Sequence, residues 1–224
     1  MSIPTGRFVW FEYVSGDARK AQGFFGELFG WSTRSVPMPD GDYTMIAAPD
    51  GKTIGGYFAA PEGAAKASWL PYLQVASAAD SAAKVKKLGG TVIKPPFKVA
   101  DIATMAVVAD PLGAGLALWQ PTKAEDPGQP AAGFTVNKME MPGMGTYNVL
   151  ESDGQGRAGI MPQPMPEAPH LWLPYVKVAS ADQTAEKARR LGANVVVPPT
   201  QIPNVGRFAI FVDAQGAGTG ILQP

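Results

Sequence analysis

The sequence predicts an α+β protein of tandem β-α-β-β-β modules, and three observations carry that prediction. The first is a long internal repeat. Trp69-Leu-Pro-Tyr-Leu-Gln-Val-Ala-Ser-Ala78 returns as Trp172-Leu-Pro-Tyr-Val-Lys-Val-Ala-Ser-Ala181, at an offset of 103. Residues 87–96 return at 190–199, Asp110-Pro-Leu-Gly-Ala-Gly115 at Asp213-Ala-Gln-Gly-Ala-Gly218, and Gln120-Pro121 at Gln223-Pro224, all at that offset. Gly30-Trp31, Met38-Pro39 and Asp50-Gly51 are answered by Gly133-Phe134, Met141-Pro142 and Asp153-Gly154. One offset held over 92 residues marks a duplicated domain, since a repeat this long is no solenoid unit. The second observation is that each repeat alternates short strand patterns with isolated helical ones. The third is composition. Gly 26 and Pro 22 accompany 46% hydrophobic residues, which suits many short elements joined by tight turns.

The elements follow in order. Residues 8–14 are aromatic and β-branched, a strand pattern. From Asp17 to Phe29, Ala18, Ala21, Phe25, Leu28 and Phe29 fall at helical spacing, and Gly30 is the stop. Residues 69–75 form a second leading strand. Ser77 with Asp80 starts a helix, Val85 and Leu88 share a face, and Gly89 ends it. Ser180 with Gln183, then Ala188, Leu191 and Gly192, repeat that pattern. Three strands follow each helix, with turns expected at Asp40-Gly41, Asp50-Gly51, Pro95-Pro96, Asp110-Pro111 and Asp153-Gly154. Pro71 and Pro174, inside the leading strands, predict an edge or a bulge.

The duplication is incomplete. Residues 30–121 match 133–224, while residues 1–29 have no second copy. The expected organisation is a complete two-module domain at 1–121, a Pro/Gly/charged linker at 122–132, and a second domain at 133–224 that lacks its leading strand and helix. Three explanations stand for the gap. A second copy completes the domain, implying a homodimer; the second site is degenerate; or the natural chain has a segment that this sequence omits.

Composition narrows the function. Lys+Arg and Asp+Glu are both 19, which leaves no basic stripe for nucleic acid and no electrostatic membrane signature. No cysteine is present, so disulfides, thiolate nucleophiles and Cys-type metal sites are excluded. The single histidine, His170, excludes a His-rich metal site. The first residues show no secretory pattern and no apolar run could span a bilayer, so a cytoplasmic protein is expected. Gly113-Ala-Gly115 does not open a helix after a strand, so a nucleotide site is not expected.

The chain resembles the vicinal oxygen chelate superfamily, which includes glyoxalase I, extradiol dioxygenases and bleomycin- and fosfomycin-resistance proteins, in its two-domain, four-module form. The resemblance rests on Trp10-Phe-Glu-Tyr-Val-Ser-Gly-Asp17, Phe24-Phe-Gly-Glu-Leu-Phe-Gly-Trp31, Leu88-Gly-Gly90 and Asp110-Pro-Leu-Gly-Ala114. It implies paired modules curled into half-open barrels, one cavity per pair. In metal-dependent members, His, Glu or Gln ligands come from the first and last strands of a module. The matching positions here are about Trp10, Leu70 and Ala117, with Leu173 and Gly220 in the second domain, and none carries a metal donor. No cofactor and no divalent metal are therefore expected.

Glu12 shares a strand face with Trp10, because side chains alternate. It is the candidate catalytic base; the competing reading is a carboxylate hydrogen-bonded within the sheet. Glu140 ends an alternating pattern with Lys138 and is expected to face solvent. Trp10, Tyr43, Trp69, Tyr72, Trp119, Tyr147, Trp172 and Tyr175 are candidate ligand-lining aromatics, with core packing as the competing reading for each. His170 is a further candidate at a pocket mouth. Met38, Met45, Met141, Met144, Met161 and Met165 are possible apolar lining or ordinary filling. The expected function is binding or sequestering a small organic molecule in an apolar aromatic pocket without a metal. The alternatives are a metal-independent lyase or isomerase using Glu12, or a divergent metal-dependent glyoxalase- or dioxygenase-like enzyme.

Overall fold

A computed structural model describes residues 6–38, 41–60, 66–123, 134–141, 145–152, 154–163 and 167–224. Most of the expected linker, and also Asp40, Met144, Asp153 and Met165, lie outside the described residues. The elements run β1 (Arg7–Ser15), α1 (Ala18–Phe29), β2 (Ser32–Met38), β3 (Gly41–Ala47), β4 (Thr53–Ala59), β5 (Ser68–Gln74), α2 (Ala78–Lys87), β6 (Thr91–Val99), β7 (Ala103–Ala109) and β8 (Gly115–Pro121). The second half continues with β9 (Thr135–Met141), β10 (Gly145–Ser152), β11 (Gln155–Ile160), β12 (Tyr175–Lys177), α3 (Ala181–Arg190), β13 (Asn194–Ile202), β14 (Gly206–Val212) and β15 (Gly218–Gln223). This is the β-α-β-β-β module in four successive uses, the third without its leading strand and helix.

The local signals act as expected. Asp17 caps α1 by accepting from the Lys20 amide, and Gly30 closes it in the left-handed region at φ 71°. Ser77 and Ser180 accept from the amides of Asp80 and Gln183. Pro95-Pro96 is not a turn: both prolines lie within β6, where the pairing with β7 shifts register between Lys94 and Phe97. A strand end of the sheet tolerates residues without an N–H, and the bulge accommodates them. Pro198-Pro199 does the same in β13. The strand expected from Trp172 starts only at Tyr175, although the Pro174 carbonyl still accepts from the Gly220 amide.

The chain forms two compact units that cut across the repeat. One holds residues 10–70 and 173–224, the other residues 1–9 and 71–172. In the first, β1 runs parallel to β4 in the order β2-β3-β4-β1, and a second sheet runs β12-β15-β14-β13. The core of that unit gathers Tyr13, Phe25, Trp69 and Phe211 with Ala181, Ala185 and Ala188 of α3. Phe24 and Phe29 of α1 meet Phe211 of β14 with ring centroids 5.8 and 6.4 Å apart. In the other unit, β5-β8-β7-β6 packs Val75, Ala78, Ala82, Ala106, Val108 and Leu118 under α2, and β11-β10-β9 forms a separate three-stranded sheet. No described helix is long and apolar enough to cross a membrane.

Candidate functional site

Strand β1 places two kinds of chemistry on its two faces. Trp10 and Glu12 share one face. The Trp10 Nε1–H donates to the Tyr43 hydroxyl at 3.0 Å, and that hydroxyl donates to Glu12 Oε1 at 2.8 Å. Glu12 is only 6% exposed, and the Trp10 and Tyr43 rings stack at 6.5 Å. Tyr43 reaches Glu12 by crossing β4 at Gly56, which pairs with Glu12 on one side and Met45 on the other. The phenol lies directly over that glycine, and a Cβ there would overlap the ring. Gly56 thus belongs to the arrangement, although nothing in its strand pattern singles it out. Tyr147 lies over Gly159 in the same way in the second repeat.

Burial, then the neighbouring Glu12 charge, raises the Tyr43 hydroxyl above its ordinary range. Burial also raises Tyr13, Tyr57 and Tyr147, with Asp213 adding to the effect on Tyr13. These four phenols are un-ionised in the fold at a pH where a free tyrosine, with its ordinary value near 10, loses its proton. Their contribution to stability is complete below about pH 10 and is lost as pH rises beyond it. Spectrophotometric titration should therefore show these four tyrosines withheld until alkaline unfolding. Six phenols titrating together, with the fold intact, contradict this arrangement.

The opposite face of β1 carries Phe11, Tyr13 and Ser15. Tyr13 is fully buried, and its hydroxyl donates to Asp213 Oδ2 at 2.6 Å. Asp213 Oδ1 accepts from the amides of Gln215 and Ala217 at 2.9 and 3.1 Å. Beside this lock, Phe11, Trp31, Ile54, Trp69, Tyr175 and Thr219 help to line a pocket of about 550 Å³ in the same unit. The Trp69 Nε1–H donates to Thr219 Oγ1 at 3.1 Å. Among the described residues, Lys177 is the one charged member of that lining.

The ten residues singled out from sequence fall into separate groups. Trp10, Glu12 and Tyr43 converge, while Trp69 and Tyr175 line the pocket. Tyr72 is buried against Trp119, with ring centroids 5.8 Å apart, in the other unit. Trp172 is half-buried against Phe8 at 5.5 Å, and His170 is exposed. Glu140 is exposed and accepts from the Thr146 hydroxyl at 2.8 Å. Sequence reasoning missed Tyr13 with Asp213, and also Phe11, Trp31 and Ile54, because their partners lie far along the chain.

The positions matched to the superfamily's metal ligands carry no metal donor. Ala117 is fully buried and carries no donor. The Tyr175 ring fills the space that a side chain at Gly220 would need, and Leu173 packs against Gly218. Among the described residues, no group of three or more His, Cys, Asp or Glu is arranged to hold a metal ion.

A family model described as Bleomycin resistance protein-like N-terminal matches residues 7–49. The chain is 31% identical over 245 residues to "Putative glyoxylase CFP32" of Mycobacterium bovis, covering 96% of this chain and 94% of that one. Since 96% of 224 residues is about 215, about 30 of those 245 aligned positions stand opposite no residue here, close to the 29 that the second repeat lacks. It is 27% identical over 259 residues to the anthracycline biosynthesis protein DauV of Streptomyces sp. (strain C5), covering 97% and 93%. In fold it is similar to the 2,3-dioxygenase LapB of Pseudomonas sp. KL28, with TM-score 0.63, 11% identity, and 100% and 94% of the chains covered. The Mn(II)-bound glyoxalase of Novosphingobium aromaticivorans gives TM-score 0.60 at 16% identity, covering 98% and 82%. With its open sheets, recurring modules and full-length relative, the chain belongs to the vicinal oxygen chelate superfamily, of the glyoxalase, bleomycin-resistance and dioxygenase-like kind.

Proposed function

We propose that this protein binds a small aromatic molecule, without a metal, in the pocket beside β1. The observation that carries the reading is the lining itself. Phe11, Trp31, Ile54 and Trp69 offer flat and branched apolar surface, and the volume of about 550 Å³ lies within the range of small-molecule sites. Lys177, Thr184 and Thr219 are polar residues of the lining that would orient a ligand. With Lys177 as the one charge, the pocket suits a neutral or anionic aromatic and disfavours a cationic one.

The test is titration with naphthalene-1-sulfonate and with 1-naphthylmethylamine, followed by quenching of the pocket tryptophans. Saturable binding of the sulfonate, at least about tenfold tighter than the amine, is expected. Ile54→Trp, which fills the pocket from β4, should weaken it about tenfold or more. No aromatic ligand tighter than about 1 mM sinks the reading. Stoichiometric metal in the purified protein would overturn the metal-free part of it.

A second reading has its own observation, the buried Glu12 held by Tyr43. A carboxylate so placed is suited to taking a proton from a ligand's carbon acid, as in a lyase or isomerase. Full activity in Glu12→Gln would exclude that role.

A further inference from the structure

The third module shows what its missing unit leaves behind. In the first module, β1 runs parallel to β4 from Phe11–Gly55 to Ser15–Ala59, and α1 packs on β2 and β4. The counterpart of β4 is β11, and among the described residues no strand pairs with its outer edge. Such an edge presents unpaired N–H and C=O groups. The face beside it is uncovered too. Ile160 stands where Tyr57 stands in the first module, and it is 50% exposed where Tyr57 is 4%. Leu150, the counterpart of the fully buried Ile46, is only half-buried. The receiving geometry is nevertheless kept. Tyr147 lies over Gly159 as Tyr43 lies over Gly56, the arrangement that in the first module meets Trp10 and Glu12 from β1.

We propose that the outer edge of β11, with the uncovered face of its sheet, docks an extended strand followed by an amphipathic helix, of the chemistry of residues 7–29, from a separate polypeptide. The occupant is argued from the repeat. The same receiving strand, glycine and tyrosine occur twice in this chain, and the covered copy shows what covers them. A second copy of this chain is a poor source. Its own residues 7–29 are committed, with Tyr13 fully buried and bonded to Asp213. Edge-to-edge pairing of two β11 strands would supply no helix and leave the face open. Strand addition to a free edge draws its affinity from main-chain hydrogen bonds and its specificity from alternate side chains.

The probe is a synthetic peptide of residues 6–29, added to the full chain. Saturable binding with a Kd below about 100 μM is expected, with slowed amide exchange in Gln155–Ile160. The same peptide carrying Tyr13→Pro, which cannot extend the sheet, should bind at least about tenfold more weakly. That control alters the peptide alone, so the protein's own folding is untouched. No binding up to about 1 mM, equal binding of the proline peptide, or protection that arises away from β11 would each overturn the proposal. So would a concentration-dependent dimer that protects β11 without peptide. The aromatic pocket lies in the other unit, so this result and the ligand titration stand or fall separately.

Discussion

Trp69→Ala is expected to cost about 4 kcal/mol, and Trp172→Ala, at the matching place in the repeat, about 1 kcal/mol. The two tryptophans sit in the same ten-residue motif, so local sequence gives no reason for a difference. The difference is in what surrounds them. Trp69 meets Tyr13 at 5.0 Å and Phe25 at 5.4 Å, edge-on or tilted, and it donates to Thr219. Removing it opens a large cavity in the core and leaves a buried hydroxyl short of a donor. Trp172 is half-buried, with a ring contact to Phe8. The counterparts of Tyr13 and Phe25 belong to the segment that has no second copy, so there is no aromatic cage to lose. Urea unfolding followed by circular dichroism measures both. Equal losses would mean that Trp172 is held by packing beyond that ring contact.

That contrast shows where sequence reasoning succeeds and where it stops. The caps at Asp17, Ser77 and Ser180 and the left-handed glycine at 30 are short-range features, and each acts within four residues of itself. The repeat is equally legible, because an offset needs no geometry. Glu12 and Trp10 on one face of β1 follow from the alternation of a strand. The pocket does not follow. Its wall joins Phe11 and Trp31 to Pro174, Tyr175 and Thr219, and no local pattern says which modules will pack together. The sequence division into 1–121 and 133–224 follows homology between the halves, whereas the compact units follow burial of apolar faces. Gly56 shows the same limit on a smaller scale. It looks like a weak spot in a strand until the phenol from the next strand is seen lying over it.

Asp213→Ala should cost about 3–4 kcal/mol, whereas Asp110→Ala, its match in the first repeat, should cost about 1 kcal/mol. Both aspartates tie off a strand-to-strand turn. Asp110 accepts from the amides of Leu112 and Ala114, each at 2.9 Å, and it is exposed. Water can replace those bonds. Asp213 makes the same two turn bonds while 7% exposed, and it also takes the hydroxyl of the fully buried Tyr13 at 2.6 Å. Its loss strands a phenol and the Ala217 amide away from solvent, where an unmade bond costs its whole desolvation penalty. A double-mutant cycle with Tyr13→Phe isolates the shared bond, and a coupling of about 1–2 kcal/mol is expected. A coupling near zero would show that the turn bonds alone carry the effect. The result bears on function because Tyr13 is the neighbour of Glu12 on β1. One face of that strand is locked by Asp213 and the other by Tyr43. A chain that keeps its fold after Asp213→Ala should therefore also bind differently at the Phe11 wall of the pocket, which the naphthalene-1-sulfonate titration reads directly.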